Sequence, residues 1–365
     1  MLALSKILKD KGINFYQSGK FNLDSTFYES FQDEGEVFDQ VFETDHKDGD
    51  IISLTGNIPK SLFKYFLDGS RKTYKIGDTT IDNKFVPVVA GQIGVAVCKR
   101  NDNGTMKNLM LSRVNVISIF KRVQKDDLDE IKRKIEKIQV YGIPFELLPY
   151  NYKSPAGHNE RLEKIENSAI ATIQKKMSDM EILMLTDLVN KKLLKTNEML
   201  IIDGSLQFMQ TKINGKKVDD RLFLNVVGLS KTFNPNLRKI LKTKNKEIGT
   251  ILPNLKFGQR TPVYRYPIEG RVIGAWYLRI REPKNMKNPL DGIVKLEKIA
   301  INEEKENGFE TGLIDNISKS ILLERNVTCY GLDPRWANHI YPIYLTEQFL
   351  KSSFLSDIHF LNLMS

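Results

Sequence analysis

The sequence predicts an α/β protein, and three observations carry that expectation. Residues 159–194 form the longest helical pattern in the chain, with Leu162, Ile165, Ala169, Ile173, Met177, Met180, Met184 and Leu188 recurring at helical spacing. This helix feeds an apolar run, 199–202, of the length of a buried strand. Upstream, β-rich stretches ending at 66, at 86–98 and at 109–120 follow one another with turn signals between them, the order of an antiparallel meander. A long helix leading into a central strand fits a sheet flanked by helices.

Composition narrows the class. With 365 residues the chain can bury a full core as one large domain or two. Hydrophobic residues at 41% and charged residues at 27% match an ordinary soluble protein. A net charge of +10 favours an anionic partner, nucleic acid before a membrane surface, although a lysine-rich proteome gives the same balance. Cys98 and Cys329 form no Cys-x-x-Cys pair, which argues against a zinc ribbon or an iron–sulfur site. His46, His158, His339 and His359 are scattered without metal-ligand spacing. No stretch approaches the length of a membrane span, and residues 1–11 are too short and too charged for a signal peptide, so the expected setting is the cytoplasm without a membrane.

In chain order, residues 1–12 read as a short amphipathic helix. Residues 29–50 are acidic but carry Phe31, Phe38, Val41 and Phe42, so this segment is either a partner-binding arm or a helix packed on the domain. The expected division is an N-terminal helical and acidic extension, 1–55, followed by the main domain, 56–365. Asn101-Asp102-Asn103-Gly104 marks a turn before the third meander strand. Residues 126–140 carry Leu128, Ile131, Ile135 and Ile138 at helical spacing. Pro155 and Gly157 mark a loop before the long helix. Beyond residue 203, strands are expected at 221–227, 262–266 and 271–280, with an edge or pairing strand at 292–300. Helices are expected at 311–325 and from Tyr341-Pro342 through Phe354.

The run from 199 to 208 reads Met-Leu-Ile-Ile-Asp-Gly-Ser-Leu-Gln-Phe, an apolar strand closed by Asp203-Gly204-Ser205. Residues 63–67 lead in the same way into Asp68-Gly69-Ser70. Taken alone, each Asp-Gly reads as a turn. Taken together, two strands closed by the same triplet place two carboxylates where one divalent cation could hold them. Metal-assisted phosphodiester cleavage needs several carboxylates around one or two Mg²⁺ or Mn²⁺ ions, which prefer hard oxygen ligands. Glu181 lies among Met177, Met180 and Met184 on the long helix and is a third candidate ligand, either buried with the ion or reaching water from the edge of the face. Asp187 is the runner-up. Lys231 follows an apolar strand in Gly228-Leu229-Ser230-Lys231, where a cation could steady a phosphate.

These motifs in this order resemble the NurA nuclease family: a first Asp-Gly-Ser, a Glu-bearing helix, Asp-Gly-Ser-Leu, Val-Gly-Leu-Ser-Lys, an aromatic strand and a late Tyr-Pro-x-x-Leu helix. The resemblance spans residues 62–353 in order, through short motifs. It implies an RNase H-like core, a homodimer, Mn²⁺ dependence, cleavage of DNA, and work beside a HerA-type hexameric ATPase in DNA end processing or phage defence. By motif, Asp68 and Asp203 become metal ligands, Glu181 a third, and Lys231 the lysine of the Gly-Leu-Ser-Lys pattern. The family pattern then carries His or Asp after Tyr-Pro-x-x-Leu. Here Tyr341-Pro342-Ile343-Tyr344-Leu345-Thr346 is followed by Glu347-Gln348, with Gln348 at the expected ligand position and Glu347 able to replace it after a small change of register.

DNA contact is expected at Lys212, Lys216, Lys217 and the basic block from Arg238 to Lys246. Tyr264, Trp276 and Tyr277 read either as base-stacking platforms or as core. The resulting expectation is a Mn²⁺- or Mg²⁺-dependent DNA nuclease. Its rivals are a non-catalytic DNA-binding or ATPase-adaptor subunit that lost a ligand at Gln348, and an RNA-directed enzyme.

Overall fold

The computed structural model describes residues 4–23, 38, 40–56, 58, 60–81, 84–122, 125–152, 162–195, 198–213, 215–233, 248–268, 270–286, 288–325 and 336–364. The acidic residues 29–37 and 39, the loop at 153–157 and the basic block 238–246 lie outside the described residues.

The chain is α/β, with one large mixed sheet flanked by helices. It opens with α1 (Leu4–Lys9), β1 (Phe15–Asn22), β2 (Gln40–Val41) and β3 (Ile52–Ser53). The meander follows as β4 (Phe63–Ile81), β5 (Lys84–Arg100) and β6 (Met106–Phe120). Then come α2 (Lys125–Glu136), β7 (Gln139–Val140), β8 (Ile143–Tyr150), α3 (Leu162–Asn190) and β9 (Met199–Asp203). A small hairpin, β10 (Lys212–Ile213) and β11 (Lys216–Lys217), precedes β12 (Val226–Ser230). The last third holds β13 (Gln259–Arg260), β14 (Tyr264–Ile268), β15 (Arg271–Arg279), β16 (Ile293–Ile299), α4 (Glu304–Asn307), α5 (Thr311–Glu324), α6 (Tyr341–Ser352) and α7 (Asp357–Leu363).

The main path of the sheet runs β2-β14-β15-β16-β12-β9-β4-β5-β6-β8-β7. β9 is parallel to both β4 and β12, as expected for a strand fed by a crossover helix. α3 covers one face, where Ile170, Ile173, Leu185 and Leu188 pack on Leu67, Val95, Leu200 and Ile202. On the other face α5 and α6 bury Ile314, Ile317 and Ile343 against Phe66, Ile201 and Leu229. α1, α2 and α7 cover the rest of that face through Leu8, Ile135 and Phe360, packed with Tyr74, Val88 and Ile117. The N-terminal segment is woven into this sheet. β1 pairs with β4, β2 with β14, and Glu43 is buried against Arg260.

Two expectations are corrected, and two open alternatives are resolved. The first Asp-Gly-Ser does not close a strand. β4 continues for 19 residues, and Asp68, its sixth residue, pairs with Ala96 inside it. The strand expected at 221–227 is a short 3₁₀ turn at Asp220–Phe223 followed by β12, because Leu224 is exposed and only Val226 onward joins the sheet. The strand at 292–300, expected as an edge or a pairing strand, is a pairing strand in the centre of the sheet. β16 lies between β15 and β12 and is buried at every position, its charges paired inside the protein. Of the two readings open for Tyr264, Trp276 and Tyr277, the structure bears out core: all three are fully buried, and Trp276 Nε1 donates to Ser318 Oγ.

β4 also changes neighbours. β5 occupies one edge from Tyr65 to Ile81. On the opposite edge β9 pairs as far as Leu67, and β1 takes over at Tyr74. Among the described residues, Asp68 opens the gap between them.

Candidate metal centre

Side chains alternate across a strand. Leu67 points to the α3 face, so Asp68 points with Phe66 to the face covered by α5 and α6. Asp203 is in register with Leu229, whose side chain lies on that same face. β9 stops there because Gly204 adopts a φ of 109°, a left-handed conformation that glycine alone enters without strain. The Gly204 N–H donates to Leu229 O at 2.7 Å and fixes the turn.

α6 supplies the third carboxylate. Ile340 is extended and Pro342 sits in the first turn, a combination that starts a helix sharply. Ile343 anchors the helix to the core, and Glu347, four residues on, shares its side of the helix. Gln348 is about 100° further round by helical geometry and is exposed. The Gln348 expectation is therefore corrected: Glu347, not Gln348, reaches the cluster.

One oxygen each from Asp68, Asp203 and Glu347 lies within 4.8 Å of the others. Oxygens bound to one ion at about 2.1 Å are separated by at most about 4.2 Å. The three carboxylates would have to close in on one another to share a cation. Asp68 is 4% exposed, and its Oδ2 has no hydrogen-bond partner. A buried carboxylate oxygen without a donor is costly, and a hard divalent cation is a ligand that would satisfy it. Burial, then the Asp203 charge, pushes the Asp68 carboxyl well above the usual carboxylate range; Lys231 opposes the shift, and Glu347 and Glu181 add to it.

Glu181 approaches from the opposite layer. Gly69 follows Asp68, so its missing Cβ would point toward α3, and an added Cβ would collide with Glu181 Oε1. Glu181 is thus buried against the backbone beside Asp68, outside the group of three. Burial, reinforced by Asp203, raises its pKa to about 8. Asp187 is exposed and pairs with Lys191 at 2.8 Å, so it takes no part.

Lys231 sits inside the cluster. Its Nζ lies 2.8 Å from Asp203 Oδ2 and 3.7 Å from Glu347 Oε2. Burial alone would lower its pKa, but Asp203, Glu347 and Asp68 raise it to about 12, so the ammonium is charged. The Asn338 amide donates to Lys231 O at 2.7 Å and holds its backbone. Two contributors were missed in the sequence. Lys351 pairs with Glu347 Oε1 at 2.6 Å, four residues along the same helix, a spacing that is itself a signal. Glu297 contacts the turn after Asp203, and a Lys-x-Glu pair on alternating β16 was its trace.

The hairpin lysines Lys212, Lys216 and Lys217 are exposed. Among the described residues, no helix is long and apolar enough to cross a membrane. Neither the protein-family models nor the curated proteins compared with this chain match it.

Proposed function

We propose that this chain is a DNA nuclease that hydrolyses phosphodiester bonds with Mn²⁺ or Mg²⁺ held by Asp68, Asp203 and Glu347. The carrying observation is the convergence of these three carboxylates, with an unpartnered buried oxygen on Asp68. When bound, the ion would supply Lewis-acid activation of water and charge neutralisation at phosphorus. The chain's own groups do the rest. Asp203 is fixed by the Gly204 turn, Glu347 by the α6 anchor, and Asp68 by its strand. Lys231 keeps a positive charge where negative charge gathers in a phosphoryl-transfer transition state. Glu181 adds a fourth carboxyl beside Asp68.

The exposed Lys212, Lys216 and Lys217 and the net charge of +10 support a polyanionic substrate bound through its backbone. The motif order supports a NurA-like enzyme with an RNase H-like core, acting in the cytoplasm as a homodimer beside a HerA-like ATPase, in DNA repair or antiviral defence. Glu347's place in the cluster favours this reading over a non-catalytic adaptor, which was motivated by a lost ligand at Gln348.

Incubation of plasmid and single-stranded DNA with Mn²⁺ tests the proposal. Cleavage by the wild type and its loss in Asp68→Ala and Asp203→Ala is the expected result. Equal cutting by all three proteins, or no cutting under any divalent ion, overturns it. Competition with RNA separates a DNase from an RNA-directed enzyme.

A further inference from the structure

Glu297 is 1% exposed in the middle of β16, yet it carries a carboxylate. Taking a carboxylate out of water is expensive unless donors surround it. Here they do. Glu297 Oε1 accepts from Tyr266 Oη at 2.7 Å and pairs with Lys295 Nζ at 2.6 Å. Ser205 Oγ lies 2.9 Å from Oε1 and 2.8 Å from Oε2. The Leu206 N–H donates to Oε2 at 2.5 Å.

Two of these donors belong to the turn that follows Asp203. Ser205 and Leu206 are two and three residues beyond it. The near side of the turn is fixed by Gly204 N–H to Leu229 O. The far side is fixed by Glu297. β16 in turn is locked between β12 and β15, with Glu297 registered against Gly228 and Ala275. The carboxylate therefore ties the turn after β9 to a strand paired on both sides in the centre of the sheet.

We infer that Glu297 is a positioning residue for the metal centre: through Ser205 and Leu206 it sets where the Asp203 carboxylate stands relative to Asp68 and Glu347. This rests on the proposed nuclease reading, since it concerns how one ligand of that site is aimed. Glu297 itself is engaged by protein donors and lies outside the group of three carboxylates that would hold the ion. Outer groups that orient metal ligands typically change affinity by about ten- to a hundredfold when removed.

Three variants of the full chain test the inference. Glu297→Asp keeps the charge beside Lys295 but withdraws the carboxylate by one methylene from Leu206. Ser205→Ala removes one donor from the turn. Glu297→Gln combined with Lys295→Met removes the buried pair without stranding a lysine. Mn²⁺ affinity is read by electron paramagnetic resonance titration, DNA cleavage as separate kcat and KM, and folding by thermal melting.

The expected result is Mn²⁺ binding weakened by about ten- to a hundredfold, with kcat reduced and KM for DNA unchanged, in variants that remain folded. A merely structural role would lower the melting temperature and leave Mn²⁺ affinity at the wild-type value; that result overturns the inference alone. Should Glu297→Asp fail to fold, Ser205→Ala decides, because it leaves the Lys295 pair intact. If the wild type takes up no Mn²⁺ and cuts no DNA, the nuclease reading falls and this inference falls with it.

Discussion

The Lys231 ammonium and the Asp203 carboxylate face each other at 2.8 Å with side chains only 5% and 18% exposed. An ion pair so placed is held by geometry and by the lack of competing water, and it leaves a charge stranded when one partner is removed. Lys231→Met should therefore destabilise the protein in EDTA by about 3 kcal/mol, the lower end for breaking a buried pair. Urea unfolding with and without Mn²⁺ checks this. The deficit should shrink when Mn²⁺ is added, because the ion replaces the missing positive charge.

Asp68 behaves in the opposite sense. It is buried, its Oδ2 is unpartnered, and its acid form is favoured. Asp68→Asn should raise stability in EDTA by about 1–2 kcal/mol while abolishing both Mn²⁺-dependent stabilisation and cleavage. Differential scanning calorimetry with and without Mn²⁺ separates the two effects. A variant that is less stable than wild type in EDTA would contradict the account of this carboxyl as a strained, ligand-seeking group.

The pH dependence follows from Glu181. Its folded pKa, about 8, lies above the ordinary glutamate value of 4.5. The folded state therefore binds the proton more tightly, and the stabilisation is complete below pH 4.5 and lost as pH rises toward 8. Each pKa unit corresponds to about 1.4 kcal/mol. In EDTA, wild-type stability should decline relative to Glu181→Gln across this window, and the two curves should run parallel above it. Urea midpoints measured from pH 4.5 to 9 would show it. A constant difference between the two proteins would refute it.

Gly69 makes the Glu181 position possible. A Cβ at residue 69 would meet Glu181 Oε1, the far end of a flexible side chain. Gly69→Ala should therefore fold but displace the Glu181 carboxyl, lowering cleavage by about a hundredfold, as ångström-scale misplacement does. A crystal structure of the variant and single-turnover kinetics check both halves of the statement.

Glu347 and Gln348 give the sharpest contrast. Glu347→Gln should weaken Mn²⁺ binding and stop cleavage, whereas Gln348→Ala should leave both near wild type. Paired Mn²⁺ titrations decide. The reverse pattern would mean that α6 turns by one residue in the working enzyme.

Much of this architecture was legible in the sequence because hydrophobic spacing dictates it. The α3–β9 unit stands out as a 3.6-residue pattern running into a short apolar run, and the β9 exit is marked by a glycine that must adopt positive φ. The first Asp-Gly-Ser was misleading. Asp-Gly usually turns a chain, and nothing local shows that Gly69 stays extended to make room for a side chain from another layer. The place of β16 in the sheet stayed open for a related reason. Lys295, Glu297 and Lys298 look like solvent-facing charges until their partners, Tyr266 and Glu304 among them, are brought in from elsewhere in the chain. The Glu347 and Gln348 ambiguity is a matter of 100° of helix rotation, which depends on how Ile343 and Leu350 seat on the sheet.

One continuous strand, β4, carries Asp68 as its sixth residue, with β9 beside the residues before it and β1 beside Tyr74 to Thr79. At about 3.3 Å per residue it is a beam some 60 Å long. The stretch that β1 pairs with and the Asp68 carboxylate thus belong to one strand, joined by backbone with no loop between them.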